Sequence, residues 1–161
     1  MITTVLVEHP WLSPTALLLL VVVGPFVGAW LSARPRLAWA ATVLSLVPVV
    51  ALTLVPVGRE LFSRCEVAWT LPTPGRVELA ANVVLLVAPA LLAAVASRCP
   101  ALAVLGASLL CAAIETLQAV VPALGRSCST DDWLSNTVGA VTGGLLGWLA
   151  LTLARNRVRR P

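Results

Sequence analysis

The chain has 161 residues, 59% apolar and only 11% charged, with a formal net charge of +4; a soluble domain carries about twice that share of charge. Its mean hydropathy of +0.96 places it in a bilayer. One histidine, His9, and four cysteines without a C-x-x-C pair exclude a Ser-His-Asp triad in the body of the chain, a multi-histidine metal cage and a dithiol redox motif.

A membrane helix needs about 17 to 25 mostly apolar residues. Five stretches qualify, at 15–33, 37–57, 79–97, 101–121 and 134–154, and they leave no segment large enough for an independent soluble domain. The expected fold is therefore all-α, a polytopic bundle of five transmembrane helices forming a single membrane domain over 1–161. The first span opens at Ser13-Pro14, an N-cap followed by proline at the first helical position. Gly24-Pro25 predicts a kink midway along it, and Pro48 and Pro89 predict bends in the second and third spans. The stretch before the first span has no Lys or Arg and carries Glu8, which favours a membrane helix over a cleavable signal peptide.

Connections alternate in length. Arg34-Pro35-Arg36 and Arg98-Cys99-Pro100 are tight turns, whereas 58–78 and 122–133 are longer and polar. One side of the bundle carries Arg34, Arg36, Arg98, Arg155, Arg157, Arg159 and Arg160, and the other only Arg59, Arg64, Arg76 and Arg126. The positive-inside rule then predicts an external N-terminus, a cytoplasmic C-terminus and outward-facing long loops. The pI near 9.5 follows from this bias, so no nucleic-acid partner is expected. Cys65 and Cys128 fall in the two outward loops, where a disulfide is permitted. A bridge between them would be worth on the order of 4 kcal/mol by chain entropy; free or merely buried thiols are the other reading. Cys111, inside the fourth span, reads as a small packing residue.

The fourth span carries Glu115 and Gln118 on one helical face with Ser108, Cys111, Ala112 and Ala119, and predicts Leu110, Ile114, Leu117 and Val121 as its lipid-facing side. Glu115 lies roughly 9 Å below the outer end at about 1.5 Å per residue. A carboxylate at that depth requires a partner, a proton or water, and is a functional candidate unless it only fixes helix packing. In the last span Asp132, Asn136, Gly139, Ala140, Gly143, Gly147 and Ala150 share one face, where the glycines at 139, 143 and 147 suit close helix packing. Ser129 and Asp132 also match a capping box, which would make Asp132 a helix-start residue. The third span begins with Glu78 and Asn82. Arg126 is the nearest cation in sequence to Glu115, Asp131 and Asp132 and can hold a carboxylate or phosphate in bidentate fashion; a solvated loop arginine is the alternative. Asn82, Glu115, Gln118, Arg126, Asp132 and Asn136 all map to one leaflet and predict an outward-facing polar pocket.

Glu115-Thr116-Leu117-Gln118, then Arg126, then Asp132, Asn136 and Gly139, preceded by Asn82 and Pro89, resembles the VanZ-like family of small bacterial membrane proteins. The resemblance covers about residues 78–150. It rests on Glu-x-x-Gln, an Arg after proline or glycine, and Asp-x-x-x-Asn-x-x-Gly opening the last helix. Leu86 and Ala90 or Leu91 stand where the family commonly has Phe and Gly around the third-span proline. The resemblance implies a multi-pass protein of the bacterial plasma membrane concerned with the outer surface, the cell wall or lipid-linked ligands, and it implies no established cofactor. The family takes its name from a protein that lowers susceptibility to the glycopeptide teicoplanin.

The expected function is recognition, with no bond made or broken. In that reading Arg126 holds an anionic group of an amphiphile such as a lipid-linked wall precursor or an acylated glycopeptide, while Glu115 and Asp132 orient Arg126 or accept ligand donors. Asn82, Gln118 and Asn136 read hydroxyl or amide groups. One alternative is a membrane-embedded enzyme using Glu115 and Asp132 as acid and base on a lipid or glycan. Another is a small proton-coupled transporter built on the intramembrane carboxylate. Membrane lipids are the remaining expected partners, and the oligomeric state is left open.

Overall fold

The computed structural model describes residues 8–57, 65–73 and 75–158; Arg59, Arg64, Arg159 and Arg160 lie outside the described residues. An apolar run in hydrocarbon must satisfy its own backbone, and a helix does so within one segment. The chain forms α1 (Leu12–Leu31), α2 (Pro35–Leu54), α3 (Val77–Ser97), α4 (Pro100–Val120) and α5 (Thr130–Val158). Each of these five is long and apolar enough to cross a membrane. Two short strands, β1 (Cys65–Glu66) and β2 (Cys128–Ser129), and a 3-10 turn at Pro122–Leu124 lie in the long connections.

Local chemistry sets the helix ends. Pro35 and Pro100 open α2 and α4, where a missing N–H costs nothing. Arg98 closes α3 in the left-handed region at φ 57, and the chain reverses at once into α4. The start of α1 differs from the expected Ser13-Pro14 cap. The Leu12 N–H donates to the His9 carbonyl and that of Thr15 to Trp11, both over 3.0 Å, so the helix begins earlier. Trp11 takes the cap position without a side-chain bond, and Ser13 is buried inside the first turn. Helical structure continues through Pro25, Pro48 and Pro89.

α3 is the central helix, packed against the other four. Its closest partner is α5, and the glycine stripe explains why. A Cβ at Gly139 would strike the backbone carbonyl of Val83, one at Gly143 the carbonyl of Val87, and one at Gly147 the Ala94 side chain. Small residues at this spacing let two backbones approach without a side chain between them, and here they do so within one chain. One apolar core gathers Val83, Val87, Leu91 and Val95 with Leu31, Ala38, Leu146 and Ala150. A second holds Val49, Leu86, Cys111 and Ile114.

Ile114 corrects the expected lipid face of α4. It is 7% exposed, whereas Leu110 and Leu117 are 39% and 41% exposed. The buried stripe is Cys111, Ile114 and Gln118, so the inner face is centred one residue away from where Glu115 and Gln118 alone place it. Large exposed apolar side chains, among them Leu18, Phe26, Leu44, Leu109, Leu145 and Trp148, ring the outside of the bundle, as hydrocarbon contact requires.

Candidate functional site

The end of the bundle opposite the two tight arginine turns is covered by a strap. A disulfide joins Cys65 to Cys128, with Cα atoms 4.5 Å apart. It sits on the parallel pairing of β1 with β2, in which Cys65 faces Cys128 and Glu66 faces Ser129. The strap then crosses the start of α5. The Ala68 N–H donates to the Thr130 hydroxyl over 2.9 Å, and that hydroxyl donates back to the Ala68 carbonyl. The Thr70 N–H donates to Asp131 Oδ1 over 2.6 Å. Trp69 meets Trp133 edge to face, with centroids 6.4 Å apart, and the Trp133 indole donates to the Ser108 carbonyl of α4 over 3.3 Å.

Polar side chains from three helices meet beneath this strap. Asn82 Nδ2 of α3 donates to Asp132 Oδ1 of α5 over 2.7 Å. Asp132 therefore links two helices and makes no hydrogen bond to Ser129, unlike the expected capping box. Glu115 Oε2 of α4 accepts the Ser129 N–H over 2.7 Å. The Glu115 and Asp132 carboxylates are close enough to interact, and Glu78, Asp131 and Glu66 also act on Asp132. About one turn deeper, Ser135 is 0% and Asn136 6% exposed. Ser135 Oγ, Asn136 Oδ1 and the neighbouring Thr137 Oγ1 have no hydrogen-bond partner. Each buried unpaired group costs about 1–3 kcal/mol, so bonding capacity is stored here that the protein itself does not use.

Gln118 and Arg126 belong to a separate group. Gln118 Nε2 donates to the Thr53 carbonyl over 2.9 Å, and Arg126 Nε donates to the Val55 carbonyl over 3.2 Å. The Val57 N–H donates to the Leu124 carbonyl over 3.0 Å, so α4 and the turn after it hold the end of α2. The last carbonyls of a helix lack intrahelical donors, and these two side chains supply them. Arg126 makes no bond to Glu115, Asp131 or Asp132; its guanidinium is drawn to α2 instead of to the carboxylates, and partial burial lowers its pKa below the ordinary arginine value. Its outer nitrogens remain unbonded among the described residues. The six predicted residues thus divide into Asn82, Glu115, Asp132 and Asn136 beneath the strap, and Gln118 and Arg126 beside α2.

Residues not anticipated as parts of the site are Thr130, Ser135, Thr137 and Glu66. Stepping three residues from Asp132 along the helix would have reached Ser135, whereas Glu66 arrives only through the strand pairing. Two apolar grooves lie deeper in the bundle, one between α2, α3 and α4 and one between α4 and α5, and neither is lined by any of the six.

No curated protein and no solved structure matches the chain. The VanZ/LLP1 family model matches residues 12–152, from the first residue of α1 into the last turns of α5. Glu115 and Gln118 at the end of α4, Arg126 in the turn, and Asp132, Asn136 and Gly139 at the head of α5 all lie within that match, and the chain belongs to the VanZ/LLP1 family.

Proposed function

We propose that this multi-pass membrane protein sits in a bacterial plasma membrane with its strap outside, and that it recognises an amphiphilic cell-envelope ligand there. A lipid-linked wall precursor or an acylated glycopeptide fits, and binding would modulate glycopeptide susceptibility. The observation that carries this reading is the pair of buried, unpartnered groups on Ser135 and Asn136 beneath a cluster of carboxylates. An acceptor-rich site of this kind selects ligand donors: hydroxyl, amide N–H or ammonium groups. Arg126, with its outer nitrogens unbonded, offers a guanidinium at the rim to a ligand carboxylate or phosphate. The arginine balance supports an external strap, and a disulfide is favoured in that compartment.

Expression in a teicoplanin-sensitive bacterium tests the reading. Wild type should confer tolerance, and Arg126→Ala or Ser135→Ala with Asn136→Leu should abolish it at normal membrane abundance. Unchanged tolerance in well-expressed variants rejects the role.

The proximity of Glu115 and Asp132 favours one second reading, an acid and base pair acting on a lipid or glycan. Glu115→Gln separates the two: an enzyme loses turnover and keeps binding, while a recognition site tolerates the near-isosteric change. The carrier reading draws no support from the apolar cluster of Val49, Leu86, Cys111 and Ile114 beside Glu115.

A further inference from the structure

We propose that the groove between α2, α3 and α4 holds one acyl chain of an anionic phospholipid whose headgroup is taken by Arg36 and Arg98. The site is distinct from the strap site and faces the opposite leaflet. The groove has a volume of about 230 Å³ and is walled by Leu46, Ala90, Gly106 and Leu110, with Trp39 and Ser97 toward its arginine end. It lies at hydrocarbon depth, where a gap between helices takes apolar chains. Gly106 is informative because a Cβ there would meet nothing within 4 Å. Unlike the glycines of α5, it brings no two helices together, and it leaves room on the groove wall.

The chemistry at the foot of the groove selects the headgroup. Arg36 precedes Trp39 by three residues and so lies on the same face of α2, and Arg98 directly follows Ser97. Arg36 is exposed and makes no hydrogen bond or ion pair among the described residues. Arg98 commits one nitrogen to the Ser32 carbonyl over 3.4 Å, which leaves its other donors available. The described carboxylates, Glu8, Glu66, Glu78, Glu115, Asp131 and Asp132, all belong to the opposite end of the bundle, so none of them neutralises the arginines. Trp39, 50% exposed, has the amphipathic ring that settles at a membrane interface. A basic cluster at the end of a groove between transmembrane helices is the arrangement that holds anionic lipid headgroups.

The intact chain, reconstituted in equal amounts of phosphatidylglycerol and phosphatidylcholine and then extracted, should retain one phosphatidylglycerol in native mass spectrometry. Two arginines near the surface predict a preference of about thirtyfold. Gly106→Phe fills the groove and should lose the retained lipid with helix content unchanged. Arg36→Gln with Arg98→Gln should hold either lipid without preference. A readout that needs no groove variant is quenching of Trp39 by phosphatidylglycerol with brominated chains, taken as the difference between wild type and Trp39→Phe; strong quenching is expected. Equal retention of both lipids by wild type, retention by a folded Gly106→Phe, a preference that survives in the double arginine variant, or an unquenched Trp39 each overturns the proposal.

Discussion

The Asn82 amide donates to the Asp132 carboxylate over 2.7 Å across a sequence separation of 50, tying the polar ends of the two helices that Gly139 and Gly143 bring together. Loss of the amide leaves a partly buried carboxylate among Glu78, Asp131 and Glu66. Asn82→Leu should therefore lower stability by about 1.5–3 kcal/mol, the range for hydrogen bonds to charged groups. Thermal unfolding of the purified protein in detergent measures it, and an unchanged midpoint would mean that the bond contributes nothing.

The glycines predict opposite signs. Gly139→Ala sets a methyl group against the Val83 backbone, which cannot move aside as a side chain does, and should cost about 1–3 kcal/mol. Gly106→Ala enters open space and should be neutral or stabilising by up to about 1 kcal/mol, through helix propensity. The same unfolding assay compares them, and equal effects would contradict this packing.

Reduction should loosen the strap. With a sequence separation of 63 between Cys65 and Cys128, chain entropy predicts a loss of about 4 kcal/mol, seen as a lower unfolding temperature in dithiothreitol or in Cys65→Ser with Cys128→Ser. Native protein should take up maleimide at exposed Cys99 and not at buried Cys111. Labelling of Cys65 or Cys128 before reduction would show the bridge to be absent.

Glu115 holds the strap through its acceptor bond with the Ser129 N–H. Glu115→Ala removes that acceptor at a cost of about 1–3 kcal/mol and should speed amide hydrogen exchange at Ser129. Glu115→Gln keeps an oxygen in place and should change exchange far less. Equal exchange in both variants would separate Glu115 from the strap.

The bundle was legible because hydrocarbon length is written as apolar run length: each expected span lies within a few residues of its helix. The largest difference is at α5, whose first turn, Thr130 to Trp133, is polar or mixed and is helical because Thr130 and Asp131 hold the strap backbone. Hydropathy carries no trace of a contact made sixty residues away. The face of α5 was readable from small residues at spacings of three and four. Two polar residues fix a helix face only to within a residue's rotation, so the pattern of α4 does not show that Ile114 turns inward. Nearness in sequence pairs Arg126 with the carboxylates, but the unfilled carbonyls at the end of α2 take its Nε. The strand pairing that brings Glu66 to Ser129 is two residues long and leaves no periodic signal.

If the unpartnered groups beneath the strap await a ligand, binding of teicoplanin should depend on them, and isothermal titration of purified wild type and Asn136→Leu measures that dependence. Leucine is close to asparagine in size and has no polar atom to leave unpaired, so the variant should unfold at the same temperature or higher. It should bind about tenfold or more weakly, the loss expected from one hydrogen bond to the ligand. Wild-type affinity in the folded variant, or no binding by wild type, would mean that these groups hold no such ligand.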